Sequence, residues 1–289
     1  MKNDVKIAVV YHSESRAFPA SFLLPLHVGS SPSKGILRDD EGDNISFKNP
    51  FYNEMTAVYW AWKHYDEIGS PAFFGLCHYR RFFIFSEKKY PYYETENFED
   101  VDADAFSEEG LDSILSSHSV VAPMRTKRRS VGGSYALSHH KEDLDLAMDI
   151  IKRNSPEMEK LAKEYLSSDG IYYYNMFILK KELFFEYASW VFPILEEFEE
   201  KTLFKGERMF ISEILTGIFL YSLKTTRSDF LELPVVFVIG KKPSFSSAVK
   251  EVKNNFKNKK SGVLYNFRPL ILFLAPRKIM LRRRQRRVK

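Results

Sequence analysis

The chain has 289 residues, enough for one large α/β domain or two small ones with a sizeable core. Hydrophobic residues make up 44% and charged residues 28%, a globular composition, and a single cysteine excludes a disulfide framework or a Cys-based zinc site. The net charge of +5 joins unlike parts: from Lys253 onward there are 13 Lys or Arg and no acid, which leaves 30 basic and 38 acidic residues, or −8, in residues 1–252.

The opening MKNDVKIAVVYH has only a four-residue apolar run, so no signal peptide is expected, and no run of 18 apolar residues predicts a spanning helix. Val5–Tyr11 reads as a buried strand, the usual opening of a nucleotide-binding α/β domain. Ser13 to Pro50 reads as a polar stretch bearing a turn-rich acidic loop, Asp39–Asn44. Asn49-Pro50 predicts a helix start, with Asn as cap. Met55, Val58, Tyr59 and Trp62 then mark a buried helical face.

Ala72–Tyr79 predicts the next buried strand. It delivers His78, Tyr79, Arg80 and Arg81 to its C-terminal edge, where open α/β sheets bind ligands. Glu87–Glu109 reads as an acidic, aromatic excursion. Ser119–Pro123 is a short strand, followed by a basic loop at Arg125–Arg129 and by Gly132-Gly133. Ser138 is the expected cap of a helix running to about Arg153, and Ser155-Pro156 starts another, which stops near Asp169-Gly170. Ile171–Leu179 reads as one strand, Lys181–Lys201 and Arg208–Leu223 as helices, and Leu233–Ile239 as a last strand. Strands alternating with helices predict an α/β fold.

No Gly-rich phosphate loop, G-x-S-x-G elbow or H-E-x-x-H motif occurs. His139 and His140 are adjacent, so on a helix they point apart and do not share a metal. Two Asp-x-Asp triplets, Asp102–Asp104 and Asp143–Asp145, are each either solvated acidic surface or a metal site for a donor diphosphate. His78, Arg80 and Arg81 are either core and surface residues or a pyrophosphate site, because Arg binds phosphate bidentately and carries a permanent charge. Asp39, Asp40, Asp43 and Asn44 form either an Asx-rich turn or a set of ribose and sugar ligands. Lys48 and Asn49 stand at a helix N-terminus suited to anions. Glu213 is a lone carboxylate among Ile211, Ile214, Leu215 and Phe219. It is either an exposed helix residue or a general base whose pKa those neighbours raise.

The tail from Leu264 to Lys289 interleaves apolar runs such as Leu270–Leu274 with dense Arg and Lys. That pattern fits an interfacial membrane anchor, and nucleic-acid binding is the competing reading. The expected division is therefore a domain at 1–252 and a basic, membrane-associating segment at 253–289.

The sequence resembles the bacterial capsular and exopolysaccharide glycosyltransferases catalogued as domain-of-unknown-function family 4422. The matching blocks run in order: Pro25–Gly29, Asp39-Asp40 with Gly42–Ser46, Lys48–Pro50, Asn53–Lys63, Gly75–Arg81, His139-His140 with Glu142–Leu144, Tyr174–Phe184 and Ile211–Glu213. The match covers about residues 5–225 and departs at Thr216–Phe219, which is less polar than the family's usual continuation. The resemblance implies a GT-A-like nucleotide-sugar-binding domain, with a central mostly parallel sheet flanked by helices. It implies inverting transfer of a hexose, galactofuranose or galactose, from a UDP-sugar donor. Glu213 would be the base. Asp39, Asp40, Asp43, Asn44, Lys48, His78, Tyr79, Arg80 and Arg81 would bind the donor. Tyr174, Asn175, His139 and His140 would line the acceptor side. The expected acceptor is a lipid-linked oligosaccharide at the inner, cytoplasmic face of the membrane. The expected cofactor requirement is none, with Mn²⁺ or Mg²⁺ as the alternative. Two rival readings are a metal-dependent retaining transferase and a non-catalytic carbohydrate- or nucleic-acid-binding protein with a basic tail.

Overall fold

The structure is a computed structural model that describes residues 4–12, 20–29, 37–86, 91–95, 107–205 and 209–238, with Val249 and Val252. The tail from 253, the Asp102–Asp104 triplet and Arg208 lie outside the described residues, as does the expected boundary at 252/253 on its far side. Contacts divide the chain into two units, 1–93 with 102–237, and 94–101 with 238–289. The second contributes only five described residues, Glu94, Thr95, Val238, Val249 and Val252.

The elements in order are β1 (Val5–Tyr11), β2 (Leu23–His27), β3 (Leu37–Arg38), α1 (Asn49–Tyr52), α2 (Met55–Lys63), β4 (Phe73–His78), β5 (Arg81–Phe83), β6 (Tyr92–Thr95) and α3 (Glu108–Leu115). There follow β7 (Val120–Pro123), β8 (Thr126–Lys127), α4 (Val131–Ala136), α5 (Lys141–Asn154), α6 (Pro156–Ser167) and β9 (Gly170–Ile171). Then come β10 (Phe177–Lys180), α7 (Lys181–Lys201), α8 (Ile211–Thr226), β11 (Phe230–Leu233) and β12 (Val235–Val238).

The main sheet has the order β11-β7-β10-β4-β1-β2-β3. β3, β2, β1 and β4 are mutually parallel, as are β7 and β11, while β10 runs against both its neighbours. β1 from Ile7 and β4 up to His78 read as continuous apolar runs because a parallel sheet covered on both faces leaves no strand face in water. Gly75 on β4 is a close-approach residue: a Cβ there would lie 3.0 Å from the Phe177 carbonyl oxygen on β10. From β1 the chain steps one way to β2 and β3, then returns to the other side of β1 for β4. This reversal makes a switch point at the carboxyl ends of β1 and β4, where crevices form in such sheets.

Helix α7 spans the expected residues. It packs Phe184 on Phe74 of β4 at 4.4 Å, and Phe192 against Trp62 and Tyr59 of α2 at 5.8 and 5.1 Å. Aromatic stacking of this kind supplies much of the core burial. Among the described residues no helix is long and apolar enough to cross a membrane.

Several elements differ from expectation for identifiable reasons. The stretch read as polar loop contains β2, hidden by Pro25. β3 pairs only with Leu26 and His27, so Pro25 sits where β2 is still an edge. The helix expected from Asn49 is broken: Lys48, not Asn49, is the N-cap of α1, and Asn53 with φ 53° separates α1 from α2. Gly132-Gly133 lies inside a helix, because Ser130 caps α4 by accepting from Gly133 N at 3.1 Å. Helix α5 therefore starts at Lys141 rather than at Ser138. Ile171–Leu179 is two strands around a turn at Tyr174-Asn175, with φ 79° and 51°. The last strand splits at Pro234, which has no N–H for a ladder; β11 pairs with β7 and β12 with β5.

Candidate active site

The antiparallel course of β10 decides what meets at the sheet edge. β4 ends at His78, and the turn before β10 begins at the same edge. His78 Nε2 donates to the Tyr174 carbonyl at 2.6 Å, which fixes the proton on Nε2. Burial lowers the His78 pKa, so the ring is neutral at pH 7. The turn itself is bolted from three sides. Asn175 Nδ2 donates to Glu54 Oε1 at 2.8 Å and to Ser212 Oγ at 3.1 Å, and Thr216 Oγ1 donates to Asn175 Oδ1 at 2.7 Å. Thr216 also pairs with the Tyr187 hydroxyl at 2.6 Å. Left-handed backbone at a bulky residue such as Tyr174 is costly and persists because this network over-determines it.

Glu213 stands in the first turn of α8, next to Ser212. Burial, and then the charge of Glu54, push its pKa up to about 7; hydrogen bonding to the Tyr174 backbone and the charge of Arg81 pull the other way. The side chain is half-buried, because one edge opens into a pocket of ≈ 90 Å³. The lining combines Tyr135, Tyr173, His139 and Phe210 with the hydroxyls of Ser134 and Ser138. His139 stacks on Phe210 at 4.4 Å and lies tilted against Tyr135 at 4.8 Å, and burial lowers its pKa. A carboxylate poised near neutrality on the wall of an aromatic, hydroxyl-bearing pocket can accept a proton from a polyol lying on those rings.

Two arginines approach from the β4–β5 turn. Arg81 lies over the Tyr174 ring at 4.4 Å, and Arg80 over Tyr79 at 4.8 Å. Both also face Phe237. Among the described residues neither pairs with a carboxylate, so both charges are available to an anion. At the ends of β1 and β2, Tyr11 stacks on His27 at 5.6 Å and leans on Tyr79 at 6.3 Å.

The structure thus brings Glu213, His78, Arg81, Tyr174 and Asn175 into one group, and His139 into the same pocket as Glu213. The acidic loop is engaged elsewhere. Asp39 is fully buried, accepting from Gly29 N at 3.1 Å and Ser46 Oγ at 2.5 Å; burial raises its pKa. Asp40 takes a two-pronged bond from Arg38, which holds its carboxyl below the usual range. Asp43 accepts from the Tyr59 hydroxyl at 3.1 Å, and Asn44 closes an Asx turn onto Ser46 N at 3.1 Å. Lys48 bonds Glu199 at 2.7 Å, and His140 stacks flat on Phe204. Asp143 and Asp145, the second triplet, bond Thr202 and Lys141 respectively. Among the described residues no three His, Cys, Asp or Glu side chains gather as metal ligands.

Sequence reasoning passed over Glu54, Ser212, Thr216 and Tyr187 as site-forming residues, and Tyr135, Tyr173 and Phe210 as pocket walls. Glu54 precedes α2 at an unremarkable helix start, and its role comes from a partner 121 residues away. An Asn within the aromatic run Tyr172–Phe177 was the available signal for the turn, since Asn tolerates left-handed backbone.

A mixed α/β fold with a carboxylate pocket and two arginines at one sheet edge defines a ligand-binding α/β domain suited to an anionic ligand. The family model for the domain of unknown function DUF4422 matches residues 6–224, and the chain belongs to that family. Its fold is similar to a solved structure described as the WbbM bifunctional glycosyltransferase in its apo form, with 26% identity and a TM-score of 0.73. That likeness covers 95% of this chain and 58% of the other, so the chain spans little more than half of WbbM's length. No curated protein matches the chain.

Proposed function

We propose that this chain is an inverting glycosyltransferase of polysaccharide synthesis, transferring a hexose from a UDP-sugar. The observation that carries the reading is Glu213, a carboxylate with its pKa pushed up to about 7 in an aromatic pocket beside Arg81. The likeness to a bifunctional glycosyltransferase supports the reaction class. In the reaction, Glu213 takes the proton of an acceptor hydroxyl. The acceptor oxygen bonds to the anomeric carbon from the face opposite the diphosphate, and the bond to the diphosphate breaks. Arg80 and Arg81 neutralise the departing charge without needing a metal. His78 acts through the Tyr174 carbonyl, the rings of Tyr173 and Phe210 stack on the acceptor sugar, and Tyr174 and Asn175 hold the acceptor side from the turn beside them.

The donor side is the switch point, where Tyr11 meets His27 and Tyr79, with Asp39, Asp40, Asp43, Asn44 and Lys48 as further donor contacts. Galactofuranose or galactose is the transferred sugar, and a lipid-linked oligosaccharide destined for capsule, exopolysaccharide or O-antigen is the acceptor. The 253–289 segment, with its 13 basic residues, holds the enzyme peripherally on the anionic inner face of the membrane.

A thermal-shift screen of nucleotide sugars, with and without EDTA, tests the reading. Stabilisation by a UDP-hexose that EDTA leaves intact supports it, followed by turnover that inverts the anomeric configuration. Retention of configuration, or activity that EDTA abolishes and Mn²⁺ restores, favours the metal-dependent rival. No stabilisation by any sugar nucleotide, with tight salt-sensitive RNA binding, favours a non-catalytic binding protein.

A further inference from the structure

The Glu213 site has a second carboxylate beneath it. Glu54 is 8% exposed and sits at the α1–α2 junction, where Asn53 takes left-handed backbone. Its Oε1 accepts from Asn175 at 2.8 Å and lies 3.8 Å from His78 Nε2. Asn175 in turn bonds Ser212, the neighbour of Glu213, and His78 bonds the Tyr174 carbonyl. Glu54 therefore bonds one residue of the strained turn directly and stands beside the histidine that bonds the other, and the turn's backbone contacts Glu213.

We propose that Glu54 is the positioning residue of this site: it holds the Tyr174-Asn175 turn against α8 and, through that turn, sets the surroundings of the Glu213 carboxylate. The proposal deepens the glycosyltransferase reading and rests on Glu213 as its base. A buried like charge makes a carboxylate a stronger base, and a hydrogen-bonded scaffold keeps that charge at a constant distance. The other groups facing Glu213 do not substitute for it. Arg81, from the β4–β5 turn, acts in the opposite sense. Burial raises the phenol pKa of Tyr135 on α4, Tyr165 on α6 and Tyr174 before β10, so these three are neutral at pH 7; Tyr173 lines the same pocket, and His139 beyond α4 is held toward its neutral form by burial.

The test is a carboxyl ¹³C titration of Glu-labelled full-length protein, with Glu213→Gln assigning the resonance. Glu54→Gln keeps an oxygen that can accept from Asn175 and removes the charge. The Glu213 midpoint should then fall by about one pH unit. Ser212→Ala removes one bond to the turn and no charge, and should leave the midpoint in place. An unchanged midpoint in Glu54→Gln, or an equal shift in Ser212→Ala, overturns the proposal. Should Glu54→Gln not fold, Glu54→Asp withdraws the charge by one methylene. A smaller shift in the same direction supports the proposal, and no shift overturns it. The titration needs no turnover, so its failure is distinct from failure of the transferase reading, which sugar-nucleotide turnover decides.

Discussion

The guanidinium of Arg81 lies 4.4 Å from the centre of the Tyr174 ring, and Tyr174 is one of four non-glycine residues with positive φ among those described. A cation thus rests on a ring presented by strained backbone, at the edge where β4 ends and β10 begins. The stack orients a charge that has no carboxylate partner among the described residues, as a site for a departing anion requires.

Arg81→Lys keeps the charge and loses the planar stack. Turnover is expected to fall by about 10²–10³-fold, with the acid limb of the pH–rate profile nearly in place. Arg81→Ala also removes a charge that favours ionised Glu213, so its acid limb should move to higher pH. Steady-state kinetics across pH 5–9 read both effects. Equal profiles in the two variants would disconnect Arg81 from Glu213.

Glu213→Gln should cut turnover by about 10²–10⁴-fold with little change in donor binding. The same variant makes a stability prediction. Folding raises the Glu213 pKa from 4.5 to about 7, so the unfolded chain loses this proton first as pH rises. Stability therefore declines between those values and levels off above the upper one. Relative to wild type, Glu213→Gln should gain up to about 3 kcal/mol at pH 8, and nothing below pH 4.5. Urea unfolding at both pH values measures it, and a difference independent of pH would mean that Glu213 is not held near neutrality.

Asn175→Ala strips Glu54, Ser212 and Thr216 of a shared partner and puts Ala into a left-handed turn. The expected cost is about 2–4 kcal/mol, dominated by the buried Glu54 carboxylate. Chemical denaturation gives the number. A loss below half a kcal/mol would show that water takes Asn175's place without penalty.

Deleting residues 253–289 should abolish co-sedimentation with phosphatidylserine vesicles while leaving the thermal unfolding midpoint of the remaining chain unchanged. Each Lys or Arg near an anionic leaflet contributes roughly 1 kcal/mol, and the deletion removes 13. Vesicle binding that survives the deletion would move membrane association to another surface.

Elements whose apolar pattern matches their burial could be read from sequence. β1, β4 and α7 are of this kind: each buries a run long enough to leave no alternative. The half-buried setting of Glu213 and its raised pKa were legible for the complementary reason, as those of a lone carboxylate in an apolar stretch. The Tyr174-Asn175 turn was hidden because neither Gly nor Pro marks it, and its strain is borne by Glu54, His78 and Thr216 from distant parts of the chain. The acidic loop shows what composition leaves out. Asp40, Asp43 and Asn44 bond within the loop's own surroundings, and Lys48 turns to α7. Local composition cannot reveal such commitments when the partner is 151 residues away, as Glu199 is from Lys48.

The reversed strand β10 has a consequence for how the site can change over generations. Its antiparallel course lets the first third of the chain supply Glu54, His78, Arg80 and Arg81, while the remaining two thirds supply Glu213, Tyr173 and the pocket wall from Ser134 to His139. The two contributions meet at one turn and are otherwise encoded separately. Changes at Ser134–His139 and Phe210 can therefore reshape the pocket beside Glu213, while the ends of β4 and β5 pass unaltered to descendants.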